Sequence, residues 1–218
     1  MSTEKNKFDY ISVAKRVLDI ESSAIADLKS DLGKSFIHAC EICFNCSGKI
    51  IVMGLGKSGH IADKIAATFA STGTPAFFIH PSEAIHGDLG MIDSEDVVLV
   101  LSNSGETEEI VSLIPVIKNM GIKIIALTGN EESKLSTEAD IHVHVLVKEE
   151  ACPMNLAPTA STSAALSMGD AIAVALLEKR GFTKEDFAKS HPGGSLGKQL
   201  LLSVEDIMHT GDEIPAVY

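Results

Sequence analysis

The chain has 218 residues, enough for one large α/β domain with a substantial core and cramped for two. Hydrophobic residues make up 45% and charged residues 22%, an ordinary globular balance, and no run of about 18 uncharged apolar residues suggests a membrane span. A formal net charge of −12 disfavours a general nucleic-acid binder, because the phosphate backbone would be repelled, yet leaves room for one phosphate in a site built for it.

The N-terminus, Met1 to Lys7, lacks the apolar core of a signal peptide, so the expected location is the cytoplasm. From Phe8 to about Asn45, apolar residues such as Ile11, Leu18, Ile25, Leu28, Leu32 and Phe36 recur mostly at spacings of three and four. This predicts helix, with Gly33 dividing it into two. Cys40, Cys43 and Cys46 imitate the start of an iron–sulfur run and Cys152-Pro153 its end, but position 50 is isoleucine, not a fourth cysteine. A spacing of three also fits one helix face, so these cysteines read as small hydrophobes and free thiols.

Ile50 to Met53 predicts a strand running into Gly54-Leu-Gly-Lys-Ser-Gly-His60, the grammar of a strand, a tight turn and a helix start. A helix is expected over Ile61 to Thr72, ended by Gly73, then a second strand over Ala76 to His80 and a loop over Pro81 to Gly90. Asp96 to Leu101 is a third strand without polar alternation, as expected when both faces are covered. It enters Ser102-Asn-Ser-Gly-Glu-Thr107 and a helix to about Met120. Lys123 to Leu127 and Ile141 to Val145 predict strands four and five around a short helix. This alternation implies right-handed crossovers and a doubly wound, five-stranded parallel sheet flanked by helices, an α/β fold. Cys152 to Pro158 reads as a loop, Thr159 to Arg180 as a long helix closed by Gly181, and a short helix leads to His191-Pro-Gly-Gly194.

Gly54-x-Gly56-x-x-Gly59 matches the dinucleotide fingerprint, but that motif needs an acid at the end of the second strand, where His80, Pro81 and Ser82 stand. The P-loop pattern fails too, since position 51 is isoleucine. Ser102, Ser104 and Thr107 put three hydroxyls at a strand–helix junction, with Asn103 among them and Gly105 allowing close backbone approach. One serine N-cap would explain one hydroxyl; three with a glycine favour a phosphate cradle. Gly56, Lys57 and Ser58 lie where they could meet the same ligand.

Segments 54–60, 66–75, 86–91, 102–106, 150–153, 156–159, 168–171 and 190–194 together resemble the sugar isomerase (SIS) domain family, with its flavodoxin-like fold, and more narrowly the D-arabinose 5-phosphate isomerases. The resemblance implies a cofactor-free aldose–ketose isomerase that interconverts D-ribulose 5-phosphate and D-arabinose 5-phosphate, feeding 3-deoxy-D-manno-octulosonate for lipopolysaccharide. It implies a small-molecule sugar-phosphate substrate, no nucleic-acid or membrane partner, and a homotetramer with active sites shared between subunits. Lys57, Glu109, Glu150 and His191 match the family's catalytic positions, and His86 lines the same pocket.

Moving a proton between C1 and C2 through an enediol requires a base, an acid and a stabiliser of oxyanion charge. Glu150 or Glu109 is expected as the base, with a carboxyl raised toward neutrality in a closed pocket. His191 is expected to open the ring or shuttle a proton between oxygens, and Lys57 to face the enediolate. Glu106, Glu108 and Glu109 crowd one helical turn, so Glu109 also reads as a solvated face. His142 and His144 share a strand face without an evident third metal ligand. The isomerase domain is expected over 1–203, with 204–218 resembling the entrance to a CBS module, as in a natural short form or, preferably, a chain cut at the boundary. A heptose- or hexulose-phosphate isomerase and a non-catalytic sugar-phosphate sensor are the rival readings.

Overall fold

The computed structural model describes residues 8–194 and Met208. At its centre lies β3 (Val97–Leu101), paired in parallel with β1 (Ile50–Gly54) on one side and β4 (Lys123–Thr128) on the other. β2 (Ala76–Ile79) extends the sheet beyond β1, and β5 (Ile141–His144) beyond β4. The order is therefore β2-β1-β3-β4-β5 with every pair parallel, the expected doubly wound, flavodoxin-like sheet. Strand order reverses between β1 and β3, which opens a crevice at their carboxyl ends.

Successive strand residues face opposite cores, as the pleat requires. Ile50, Val52 and Leu99 point to one face, covered by α1 (Tyr10–Asp31), α2 (Lys34–Phe44), α3 (Gly56–Ser71) and α7 (Ala160–Arg180). Ile51, Met53 and Val98 point to the other, covered by α4 (Pro81–Ile85), α5 (Glu108–Asn119) and α6 (Lys134–Glu138). Burial on both sides explains why β1 and β3 are uninterrupted apolar runs.

By length and composition α7 could cross a membrane, but Ala164, Met168, Ile172 and Leu176 are buried in the first core. It is the central helix of that face. Gly169 lets α7 approach α3 closely, since a Cβ there would collide with the Ile65 side chain. After α7, Gly181 takes the left-handed conformation and α8 (Lys184–Ser190) follows. On α1 the burial of Ala24 and Leu28 leaves Ile11, Leu18 and Ile25 exposed at seven-residue spacing, with Leu32 exposed just past the helix end.

Two local expectations change. The helix after β1 starts at Gly56, not Ile61, because the glycine turn is itself the first helical turn, entered through Gly56 at φ +57. The stretch from Pro81 to Gly90 is not plain loop: Pro81 opens α4, His80 Nδ1 accepts the Ser82 N–H at 3.3 Å, and Asp88–Met91 forms a 3-10 turn. Cys40, Cys43 and Cys46 are free thiols, and burial pushes the Cys43 thiol far above its usual range. The domain boundary expected at 203/204 and the CBS-like segment lie outside the described residues, apart from Met208.

Candidate active site

α3 and α5 leave β1 and β3 on either side of the crevice, and neither start carries a side-chain cap. Apart from the Ile110 N–H, which reaches the Thr107 carbonyl at 3.0 Å, their first-turn N–H groups are those a helix leaves without an intrahelical partner, and both starts carry the positive end of a helix dipole. The start of α7 arrives as a third. Ser161 from its first turn joins Ser58, Ser102, Asn103 and Thr128 in lining a single cleft. Hydroxyl-bearing residues beside helix starts make this cleft the candidate oxyanion site.

The loop between β3 and α5 is tightly folded. Ser102 is buried; its Oγ accepts the Gly105 N–H at 3.1 Å and lies 3.1 Å from Thr107 Oγ1. Ser104 Oγ accepts the Glu106 N–H at 3.3 Å, with Asn103 and Ser104 exposed at the tip. Gly105 sits at φ +68, and a Cβ would run into Ser133, so both conformation and space demand glycine.

Among the residues expected from sequence, Ser58, Ser102 and Asn103 line the cleft. Lys57 is exposed on the first turn of α3 and Glu109 half-buried on the first turn of α5, while His86 closes α4 just after β2. All three therefore stand on the sheet's carboxyl edge.

Glu150 follows β5 at the same edge, but its environment differs from the one expected. Its Oε2 accepts the Thr159 N–H at 2.7 Å, the Thr159 hydroxyl at 2.9 Å and the Ser161 N–H at 3.3 Å, so the carboxylate caps α7. Partial burial pushes this carboxyl upward, yet the hydrogen bonds from Ser161 and Thr159 outweigh it and hold Glu150 below its ordinary 4.5. The expected rise toward neutrality does not occur in this arrangement. The backbone here is also pinned: the Glu150 N–H donates to Asn155 Oδ1 at 2.7 Å, Asn155 itself being left-handed at φ 53, and Arg16 Nη1 donates to the Ala151 carbonyl at 3.2 Å.

His191 lies elsewhere. α7 has 21 residues, roughly 30 Å, and leads away from the cleft to Phe182, whose ring fills the space over Gly73 beyond the far end of α3. The short α8, roughly 10 Å, cannot return the chain over that length. His191 caps α8, stacks on Phe187 at 4.0 Å between centroids, and has Nδ1 3.1 Å from Phe187 O. One chain therefore does not bring His191 to Lys57, Glu109 and Glu150.

His142 Nε2 lies 2.9 Å from Thr128 Oγ1, and burial holds its ring below the usual histidine range. His144 has Asp31 and Glu131 at 3.7 and 3.6 Å. His142 thus has its partner on the neighbouring strand, and His144 has its neighbours at the end of α1 and in the loop after β4. Sequence reading missed Ser161, although the run Thr159, Ser161, Thr162 and Ser163 at a helix start repeats the signature of 102–107.

An all-parallel sheet in this order, with a serine-lined cleft at its carboxyl edge, defines a doubly wound α/β domain. The SIS domain family model matches residues 43–175, and the chain belongs to that family. It is 60% identical over 210 residues to arabinose 5-phosphate isomerase KdsD of Salmonella typhi and 56% identical over 209 residues to that of Pseudomonas aeruginosa. Each alignment covers 96% of this chain and 64% of the relative, so the chain spans a little under two thirds of the length of these curated relatives. Among solved structures, an E. coli CFT073 protein in complex with arabinose 5-phosphate superimposes with a TM-score of 0.83 at 44% identity, covering 86% of this chain and 100% of that one.

Proposed function

We infer that the chain carries an aldose–ketose isomerase interconverting D-ribulose 5-phosphate and D-arabinose 5-phosphate through an enediol, in the supply of 3-deoxy-D-manno-octulosonate for lipopolysaccharide. What supports this reading is the cleft over the carboxyl ends of β3 and β4, where Ser102, Asn103 and Thr128 meet Ser58 from the start of α3 and Ser161 from the start of α7. The names of the relatives give the substrate class. In this reading the phosphate sits against Ser102, Ser104, Thr107 and the Asn103 amide, with Gly105 shaping the loop and Gly56 and Ser58 opposite. Lys57, His86, Glu109 and Glu150 stand along the same edge, where the sugar's carbonyl end would extend. Lys57 stabilises the enediolate, and a carboxylate moves the proton between C1 and C2.

Because His191 is remote within one chain, it serves the cleft of a neighbouring copy, in a cytoplasmic homotetramer with shared sites. The exposed stripe on α1 supplies apolar surface for such contacts. Residues 1–203 form the isomerase domain, and 204–218 begin a CBS module. A second reading, a non-catalytic sugar-phosphate sensor, is favoured by one observation: Glu150 is committed to capping α7 with a lowered pKa. Incubating purified protein with arabinose 5-phosphate separates the two. Ribulose 5-phosphate forming without added cofactor supports the isomerase, and tight binding without turnover supports the sensor.

A further inference from the structure

The Ser102–Thr107 loop has an outer side, and that side is fastened to α6. The Gly105 carbonyl accepts the Leu135 N–H at 3.0 Å, and Glu106 Oε1 accepts the Lys134 N–H at 2.7 Å. Nearer β4, the Asn103 carbonyl accepts the Gly129 N–H at 3.0 Å. Ser133, fully buried, fills the space over Gly105 and is itself locked, its Oγ donating to the Asn130 carbonyl at 2.8 Å and accepting the Ser136 N–H at 3.2 Å. The loop's inner side meanwhile presents Ser102 to the cleft.

Glu106 stands out in this arrangement. A carboxylate beside a site that takes a phosphate dianion lowers affinity by charge repulsion. Its oxygen is nonetheless engaged, bridging from the loop to the first turn of α6 across 28 residues of sequence. What the bond needs from position 106 is an acceptor of the right length, not a charge.

We propose that Glu106 is a positioning residue: through the Lys134 amide it holds the serine loop in the shape that receives phosphate, without touching the ligand. This rests on the phosphate reading of the cleft. Glu106→Gln keeps an acceptor at the same reach, whereas Glu106→Ala removes it and lets the loop relax before each binding event. The cost therefore falls on binding, not on the chemical step.

The test uses the full chain as wild type, E106Q and E106A, measuring inorganic phosphate binding by calorimetry, turnover of arabinose 5-phosphate, and thermal melting. In E106A the KM and the phosphate Kd should both rise about tenfold, the worth of one hydrogen bond, with kcat within about twofold. E106Q should stay within about twofold of wild type in both constants. A merely structural role would reduce the amount of active protein, and so the apparent kcat, with KM unchanged. Should alanine prevent folding, Glu106→Ser, too short to reach Lys134, takes its place. Unchanged KM and phosphate affinity in the truncated variant, or E106Q as impaired as E106A, overturns the proposal. A wild-type protein that binds no phosphate overturns the cleft reading, and the proposal with it.

Discussion

The Glu150 carboxylate lies 2.7 Å from the backbone nitrogen of Thr159 and so closes the first turn of α7, the helix whose Ser161 lines the cleft. The residue expected to move a proton thus also anchors a wall of the site, and its two duties can be separated by titration.

Hydrogen bonds hold the Glu150 carboxyl below its unfolded value of about 4.5. A depressed pKa contributes stability that is fully present above the unfolded value and is lost as pH falls toward the folded one. Thermal melting of wild type and Glu150→Gln should therefore differ most near neutral pH, and the difference should shrink below about pH 4.5. A gap that ignores pH would remove the capping carboxylate from the account.

If the same group is the base, E150Q should lose about a hundredfold or more in turnover while its circular dichroism stays native. Near-normal turnover, with a comparable loss in Glu109→Gln, would transfer the proton to Glu109.

Ser104 is exposed at the loop tip and bears no packing duty, so Ser104→Phe should obstruct the ligand without unfolding the domain. KM should rise more than kcat falls. An unchanged KM would count against the cradle.

Gly105→Ala combines a left-handed φ with a collision against Ser133. Urea denaturation should show a loss of about 1–3 kcal/mol. Full stability would mean that the loop has another way to fold.

The remoteness of His191 gives the clearest test of shared sites. Lys57→Ala and His191→Ala should each be nearly inactive alone. Mixed under conditions that exchange subunits, they should regain about a quarter of wild-type activity, the fraction of composite sites with both groups intact. No recovery despite exchange would place all the chemistry within one chain. Leu18→Asp, on the exposed stripe of α1, should weaken assembly in sedimentation and lower activity with it.

The sheet was legible because its strands are covered on both faces: Val97 to Leu101 and Ile50 to Met53 carry no polar residue that would leave another choice. Ser102 and Ser58 were legible because a glycine-bearing turn at a strand–helix junction is a local signature. The anchoring contacts were not. Glu106 meets Lys134 only after separate crossovers dock on the sheet, and Glu150 meets Thr159 and Ser161 only when the loop before α7 folds back on itself; no periodicity encodes either pairing. The start of α3 was misjudged because glycines weigh against helix in isolation, whereas here Gly56 provides the entry that the tight turn needs.

Gly169 meets Ile65 well down the shafts of α7 and α3, yet the tips of those helices carry Ser161 and Ser58 on the two sides of the cleft. A methyl group added at that hidden contact would press on Ile65 and is expected to force the two shafts apart, so that the distance between Ser58 and Ser161 depends on a residue at neither tip.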